Sequence, residues 1–263
     1  MKTSGAQLRA LIASGRSVIA PGATDALSAR LIESHGFECV YIGSYATAAS
    51  RFALPDTGLL SLEDLAAQAR TIVDAVRVPV IADAEGGFNE PADMWRTVQA
   101  FEQAGVAAIH IEDHSGTGKH TSAPQTLRPL PEAAARIRAA VDARADPDFL
   151  IVARSDAFWI SQDLEDTIAR LQAYAAAGAD MVFPTLVGPA ELAEVRRRAE
   201  KPAMIVDMPG RGIAEHQDAA IVLFYALSTL VQFDVLQLAL EKFKRDGSFT
   251  GRVTELEEFL GYQ

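Results

Sequence analysis

Two carboxylates one residue apart, Asp83 and Glu85, stand at the end of a short apolar run, residues 80–82, and are followed by the glycine pair Gly86-Gly87. Side chains alternate along a strand, so a strand ending here is expected to send both acids to one side. Like charges that close repel each other unless a cation or a proton lies between them. The pattern returns one helix later, where residues 107–111 lead into Glu112-Asp113. It returns again in altered form where residues 149–153 lead into Arg154-Ser155-Asp156. Oxygen donors of this kind suit a hard divalent cation, Mg²⁺ or Mn²⁺. A metal site of Asp83, Glu85 and Glu112 is therefore expected, with Asp56, from the loop after the second strand, able to join it. The bland alternative is that strand-end acids cap helices or form salt bridges, and that Asp56 is a turn residue after Pro55.

Other side chains complete the chemistry. Arg154 offers a planar fork suited to a carboxylate, against the alternative of a structural ion pair with Glu112. Lys119 and His120 stand in a polar loop as candidates for general acid/base work or anion clamping; otherwise they are simply solvated. Gly116-Thr117-Gly118-Lys119 fails as a phosphate loop, because Asp113 falls where its first glycine belongs and His120 replaces the Ser/Thr. Cys39 is read as packing, and His110 as a satisfied core histidine.

These residues need elements to hold them. Strands are expected at 17–20, 39–43, 80–82, 107–111, 149–153, 181–183, 203–206 and 219–224. Helices are expected between them, from Ala26, Ser61, Pro91, Pro131, Asp163 and Pro189. Residues 44–60 read as irregular, and 114–130 as a long polar loop of the kind that forms lids. Residues 228–245 and 253–260 read as a helical extension. About eight βα units in one unbroken domain, residues 1–263, argue for an α/β fold, a (β/α)₈ barrel of the TIM type. Its active site forms where the strands end, and neighbouring strands about 5 Å apart would bring Asp83, Glu112 and Arg154 together.

Composition narrows the partners. A formal net charge of -11 over 263 residues disfavours nucleic acid, which needs a basic face. Cys39 is the single cysteine, so no intrachain disulfide forms. No apolar run approaches the ~20 residues of a bilayer span, and no signal peptide is read at the start, so a cytoplasmic location without a membrane partner is expected.

Several segments, in order and spacing, resemble the isocitrate lyase/phosphoenolpyruvate mutase superfamily over roughly residues 15–210. They are Pro21-Gly22-Ala23-Thr24-Asp25-Ala26, Leu54-Pro55-Asp56, Asp83-Ala84-Glu85-Gly86-Gly87-Phe88, Ile111-Glu112-Asp113 and residues 146–157. The resemblance implies a barrel whose last helix is exchanged between subunits, a homotetramer, and Mg²⁺ gripping a small 2-oxo or 2-hydroxy carboxylate. By that likeness Asp83 binds the metal directly, while Asp56, Glu85 and Glu112 act through waters. Ser44 and Tyr45 match the segment that hydrogen-bonds the substrate's oxo or enolate oxygen, and Arg154 matches the carboxylate-binding arginine.

The departures bear on the reaction. Glu85 stands where the family usually has Asp. The lyases' Lys-Lys/Arg-Cys-Gly-His loop is replaced by Gly118-Lys119-His120-Thr121-Ser122, with no cysteine, and Thr185 replaces their glutamate after Phe-Pro. The phosphonate enzymes' Lys-Thr-Asn-Ser is approached by Lys119-His120-Thr121-Ser122 with one residue inserted and the asparagine missing. The expectation is a Mg²⁺-dependent lyase or decarboxylase that breaks a C–C bond beside a 2-oxo or 2-hydroxy acid, oxaloacetate-like substrates first, through an enolate. Lys119 or His120 would move the proton, and Thr185 and the lid would read the distal group. The alternatives are C–P hydrolysis or rearrangement of a phosphonopyruvate-like substrate, and a non-catalytic ligand-binding barrel.

Overall fold

The computed structural model describes residues 3–115, 125–208, 212 and 218–262. Strands covered on both faces need apolar runs rather than alternation, and the eight parallel strands have them, broken within β4 by the buried His110. They are β1 (Val18–Pro21), β2 (Val40–Ile42), β3 (Val80–Asp83) and β4 (Ala108–Glu112), followed after a short antiparallel pair, β5 (His114–Ser115) with β6 (Thr126–Leu127), by β7 (Leu150–Ser155), β8 (Met181–Pro184), β9 (Met204–Val206) and β10 (Ile221–Phe224). Pairing runs β2-β3-β4-β7-β8 and β1-β10-β9. Both seams are bridged, Gly22 to Tyr41 and Val182 to Ala203, with Ala23 N–H donating to Tyr41 O at 2.9 Å and Val182 N–H to Pro202 O at 3.1 Å. The strands thus run round a (β/α)₈ barrel of the TIM type. A Cβ on Gly22 would lie 2.4 Å from the Tyr225 carbonyl, so only glycine admits this approach of β1 to the end of β10.

The helices are α1 (Ser4–Ala13), α2 (Ala26–Ser34), α3 (Ser44–Phe52), α4 (Leu62–Val73), α5 (Met94–Ala104), α6 (Leu130–Ala143), α7 (Ala157–Ser161), α8 (Leu164–Ala176), α9 (Pro189–Ala199), α10 (Leu227–Asp246) and α11 (Val253–Leu260). Local chemistry explains several starts. Asp25 and Ser28 close a capping box on α2, as Ser61 and Asp64 do on α4. Three helices differ from the sequence reading. Residues 44–52, read as irregular, form α3, an alanine-rich turn sequence launched from Gly43 and stopped by Ala53 in the left-handed region at φ 52°. Helix α7 is a single short turn before α8. Helix α1 was not expected at all. It plugs the N-terminal end of the barrel, where Leu8 is fully buried and Arg9 donates to Asp180 Oδ1 at 2.8 Å. Burying one leucine contributes about 1.5–3 kcal/mol.

The core has two shells. Inside the barrel pack Val18, Cys39, Ile81, Leu150, Met181 and Leu223 with Leu8; between strands and helices pack Ile42, Phe101, Ile109, Ile137, Ile168 and Val182. Cys39 is fully buried there, and burial pushes its thiol up to about 12. The extension is different: after Ser228 no side chain of α10 is buried, and Phe233 (61%), Leu236 (59%) and Leu238 (66%) are exposed. Helix α11 meets α2 where Arg30 donates to Phe259 O at 2.8 Å and stacks on its ring. No helix among the described residues is long and apolar enough to cross a membrane.

Candidate active site

Strand ends supply the site. A cavity of about 320 Å³ is lined by Ser44 and Tyr45 after β2, Asp83 of β3, Arg154 of β7 and Thr185 after β8, with Asp56 from the loop beyond α3. Asp83 is buried and held on both oxygens: Oδ2 accepts from Ser44 N–H (3.2 Å) and Oγ (2.9 Å), and Oδ1 accepts from Glu85 N–H (2.8 Å). The first residue of α3 is thereby locked to the end of β3, and the positive end of that helix lies against the carboxylate. Beneath Asp83 lies His110, its register partner on β4. It is fully buried, with Nε2 2.9 Å from the Tyr41 hydroxyl and Nδ1 3.7 Å from Asp83 Oδ1. The core-histidine reading fits this placement.

Arg154 forms a second anchored group. Register places it opposite Glu112, and its NH1 lies 3.3 Å from Glu112 Oε2. Its Nε donates to Asp156 Oδ1 (2.7 Å) and Thr185 Oγ1 (3.1 Å), and NH2 to Asp156 Oδ2 (3.2 Å). Thr185 in turn donates to Asp156 at 2.6 Å, so its hydroxyl is turned to this pair. Burial works against the guanidinium charge, but Asp156 and Glu112, with Asp83 further off, override it and hold Arg154 well above its ordinary value. The ion pair with Glu112 is thus present, Asp156 occupies one edge of the fork, and each terminal nitrogen keeps a hydrogen. Asp113 is a strut behind them, accepting from Ser155 Oγ and Tyr174 OH at 2.8 Å each and from Asp156 N–H at 2.9 Å.

The acids are not arranged as strand alternation implied. Strand β3 ends at Asp83, and Glu85 adopts φ 49°, Gly87 φ 92° and Phe88 φ 59°, so the chain has turned before Glu85 is placed. Glu85 and Glu112 line an adjoining cavity of about 250 Å³ with His114 and Arg128, while Asp83 and Asp56 line the first. Among the described residues no three His, Cys, Asp or Glu side chains are grouped so that they could hold a metal. The donor chemistry still fits a hard ion: Asp56, Asp83 and Glu112 are all buried, and the guanidinium near Glu112 and Asp83 is already closed onto Asp156. Such an ion would take one carboxylate directly and keep waters toward the others.

Lys119 and His120 lie outside the described residues. Sequence reasoning also passed over Trp159, Leu186, Met208 and Tyr225, which line the first cavity. Tyr225 follows the last strand, a place the strand-end rule would have flagged; its ring meets Tyr45 edge-on at 5.5 Å, and burial, then Tyr45 and Asp56, raise its hydroxyl pKa.

Comparison with known proteins decides the lineage. The family model described as phosphoenolpyruvate phosphomutase matches residues 8–229. The chain belongs to the isocitrate lyase/phosphoenolpyruvate mutase superfamily. It is 41% identical over 182 residues to 2,3-dimethylmalate lyase of Eubacterium barkeri, a match spanning 68% of this chain and 62% of that relative. The solved phosphoenolpyruvate phosphomutase of Streptomyces platensis subsp. rosaceus superposes with a TM-score of 0.90 at 30% identity, over 98% of this chain and 95% of that one. A phosphonopyruvate hydrolase solved with oxalate and Mg²⁺ gives 0.89 at 27%, over 99% and 95%.

Proposed function

We propose that this superfamily member is a Mg²⁺-dependent carbon–carbon lyase or decarboxylase acting on a small 2-oxo or 2-hydroxy carboxylate of the oxaloacetate or malate type. The observation that carries the reading is the juxtaposition, in one buried cavity, of the Ser44-locked Asp83 with the Asp156-backed Arg154. The dimethylmalate lyase relative supports bond breaking between carbons. Asp83 would hold the metal, with Asp56, Glu85 and Glu112 reached through waters. Bound there, the ion supplies charge stabilisation for a developing oxyanion.

The chain's own residues account for the rest. Arg154 grips the substrate carboxylate with its two remaining hydrogens and fixes the plane of the molecule. Tyr45, at the N-terminus of α3, offers a donor to the oxo or hydroxyl oxygen, while Ser44, whose N–H and hydroxyl both donate to Asp83, keeps that carboxylate in place. In the 2-hydroxy acid, transfer of the hydroxyl proton to Lys119 or His120 drives its electron pair into a new carbonyl, the adjacent C–C bond breaks, and the electrons pass into an enolate. In an oxaloacetate-like acid the same electrons come from the bond to the departing carboxylate, which leaves as CO₂. Either enolate takes a proton at carbon, and Lys119 or His120 is the proposed carrier.

Calorimetry with Mg²⁺ and oxalate, an enolate mimic, is expected to show metal-dependent binding that Asp83→Ala abolishes. Unchanged binding by that variant refutes the metal assignment. A product assay separates the second reading, which the phosphonopyruvate hydrolase likeness favours: pyruvate with inorganic phosphate from phosphonopyruvate, and no turnover of C–C substrates, replaces the first. Assembly as a homotetramer with α10 exchanged between subunits belongs to the same proposal, supported by the exposed apolar side chains of that helix.

A further inference from the structure

The turn that follows β3 is held in a conformation it would not choose by itself. Glu85, Gly87 and Phe88, three residues within four positions, have positive φ (49°, 92° and 59°). Glycine adopts such angles freely, but a glutamate or a phenylalanine does so at a cost of about 1–3 kcal/mol and needs neighbours that leave the chain no alternative. Thr97 Oγ1 donates to Gly87 O, and Glu112 N–H donates to Glu85 O at 2.9 Å. Arg136 of α6 supplies the charged brace. Its NH1 donates to the carbonyls of Gly86 (3.2 Å) and Asn89, and its NH2 to Glu90 Oε2 at 3.0 Å. The arginine is buried, and burying that charge is costly unless it is well paired. The nearby acids repay little of this, since Glu90 is exposed and Glu132 Oε1 stays 3.6 Å from Nε. The guanidinium is therefore committed mainly to the turn carbonyls. What the turn carries is the site: Glu85 N–H donates to Asp83 Oδ1 at 2.8 Å, and Glu85 lines the adjoining cavity with Glu112 and Arg136. Relaxation of the turn toward negative φ would take that N–H off Asp83 and swing the Glu85 carboxylate away.

We infer that Arg136 is a positioning residue for the proposed metal site: by clamping residues 86–90 it keeps the Glu85 N–H on Asp83 and the Glu85 carboxylate on the cavity shared with Glu112, and so sets the affinity for Mg²⁺. It acts through the turn and touches neither ion nor substrate. This rests on the proposed Mg²⁺ reading of Asp83, and deepens it by naming what holds the donors in place.

The test is calorimetric titration of Mg²⁺, with oxalate present, into the whole parent chain, Arg136→Met and Arg136→Lys, with urea unfolding of the same preparations. Groups that orient metal ligands are worth roughly 10- to 100-fold in metal affinity, so Arg136→Met is expected to weaken Mg²⁺ binding by about tenfold or more. Arg136→Lys keeps the charge but loses the fork, and should recover part of that loss. Once Mg²⁺ saturates each variant, its oxalate affinity is expected to match the parent's, because Arg154 is untouched. A folded Arg136→Met chain that binds Mg²⁺ as the parent does, however much stability it has lost, overturns the inference and leaves Arg136 a brace for the fold alone. Should Arg136→Met not fold, parental Mg²⁺ affinity in Arg136→Lys overturns it instead. Failure of the parent chain to bind Mg²⁺ overturns the metal reading and this inference with it, a result distinct from a parent that binds and a variant that binds equally well.

Discussion

Replacing Arg154 by lysine tests whether this side chain grips a substrate or only braces the barrel rim. The guanidinium spends its Nε–H and one NH2 hydrogen on Asp156 and directs NH1 toward Glu112. That leaves one hydrogen on each terminal nitrogen, enough for a two-point grip on a carboxylate. A lysine ammonium is a single point; it can satisfy Asp156 or the substrate, and it loses the planar fork in either case. Taking one charge-assisted hydrogen bond as worth about 1.5–3 kcal/mol, loss of the second contact should lower kcat/KM roughly 10- to 150-fold. The loss should fall mainly on KM, because the carboxylate is held alike in ground and transition states. The same change leaves buried Asp156 and Thr185 short of a donor and should cost about 1–3 kcal/mol of folding stability. Steady-state kinetics and urea unfolding on the same preparation give both quantities. If stability drops while KM stays within about threefold of the parent, in the sense of the KM argument above, Arg154 is a strut and the substrate-gripping role is refuted.

Two further outcomes follow. Tyr174→Phe removes the hydroxyl that donates to buried Asp113 at 2.8 Å, at an expected cost of about 1–3 kcal/mol; burial already holds that carboxyl above its ordinary range. A carboxyl that binds its proton more readily folded than unfolded loses stability as pH rises from the unfolded value through the folded one. The deficit should therefore be larger at pH 7 than near the ordinary carboxylate range of about 4, and equal deficits by urea titration at both pH values refute the account. The exposed Phe233, Leu236 and Leu238 of α10 are expected to be covered by a second copy, so light scattering should return a mass of about four chains, in keeping with closed symmetric assembly; a monomer refutes the exchange.

Much of the barrel was legible because buried parallel strands leave an unambiguous trace: runs such as Val80–Asp83 and Leu150–Ser155 are apolar throughout and end in charged or polar side chains. Helices with a cap or a proline start were legible too, α2 and α9 matching the expected residues. Helix α3 was hidden because Gly43 offers no side-chain cap and Pro55 and Gly58 nearby argue for loop. Helix α1 was overlooked although Leu8, Leu11 and Ile12 are apolar, since only Gly5 and Leu8 are buried at the barrel end. The anchoring of Asp83 by Ser44, and of Arg154 by Asp156, joins residues distant or adjacent in sequence through side-chain geometry that periodicity does not encode. The direction of Glu85 was misread because a left-handed residue ended the alternation. Trp159, Leu186 and Met208 escaped notice because they look like ordinary core residues until the strand ends converge.

The plug formed by α1 turns the barrel into a cul-de-sac. With Leu8 and the filled interior sealing one end, anything held by Asp83 and Arg154 arrives and departs through the same mouth. In a chamber of that shape the fragment seated deepest leaves last, and the next molecule waits on its exit, so traffic in this barrel is ordered by architecture before any lid is considered.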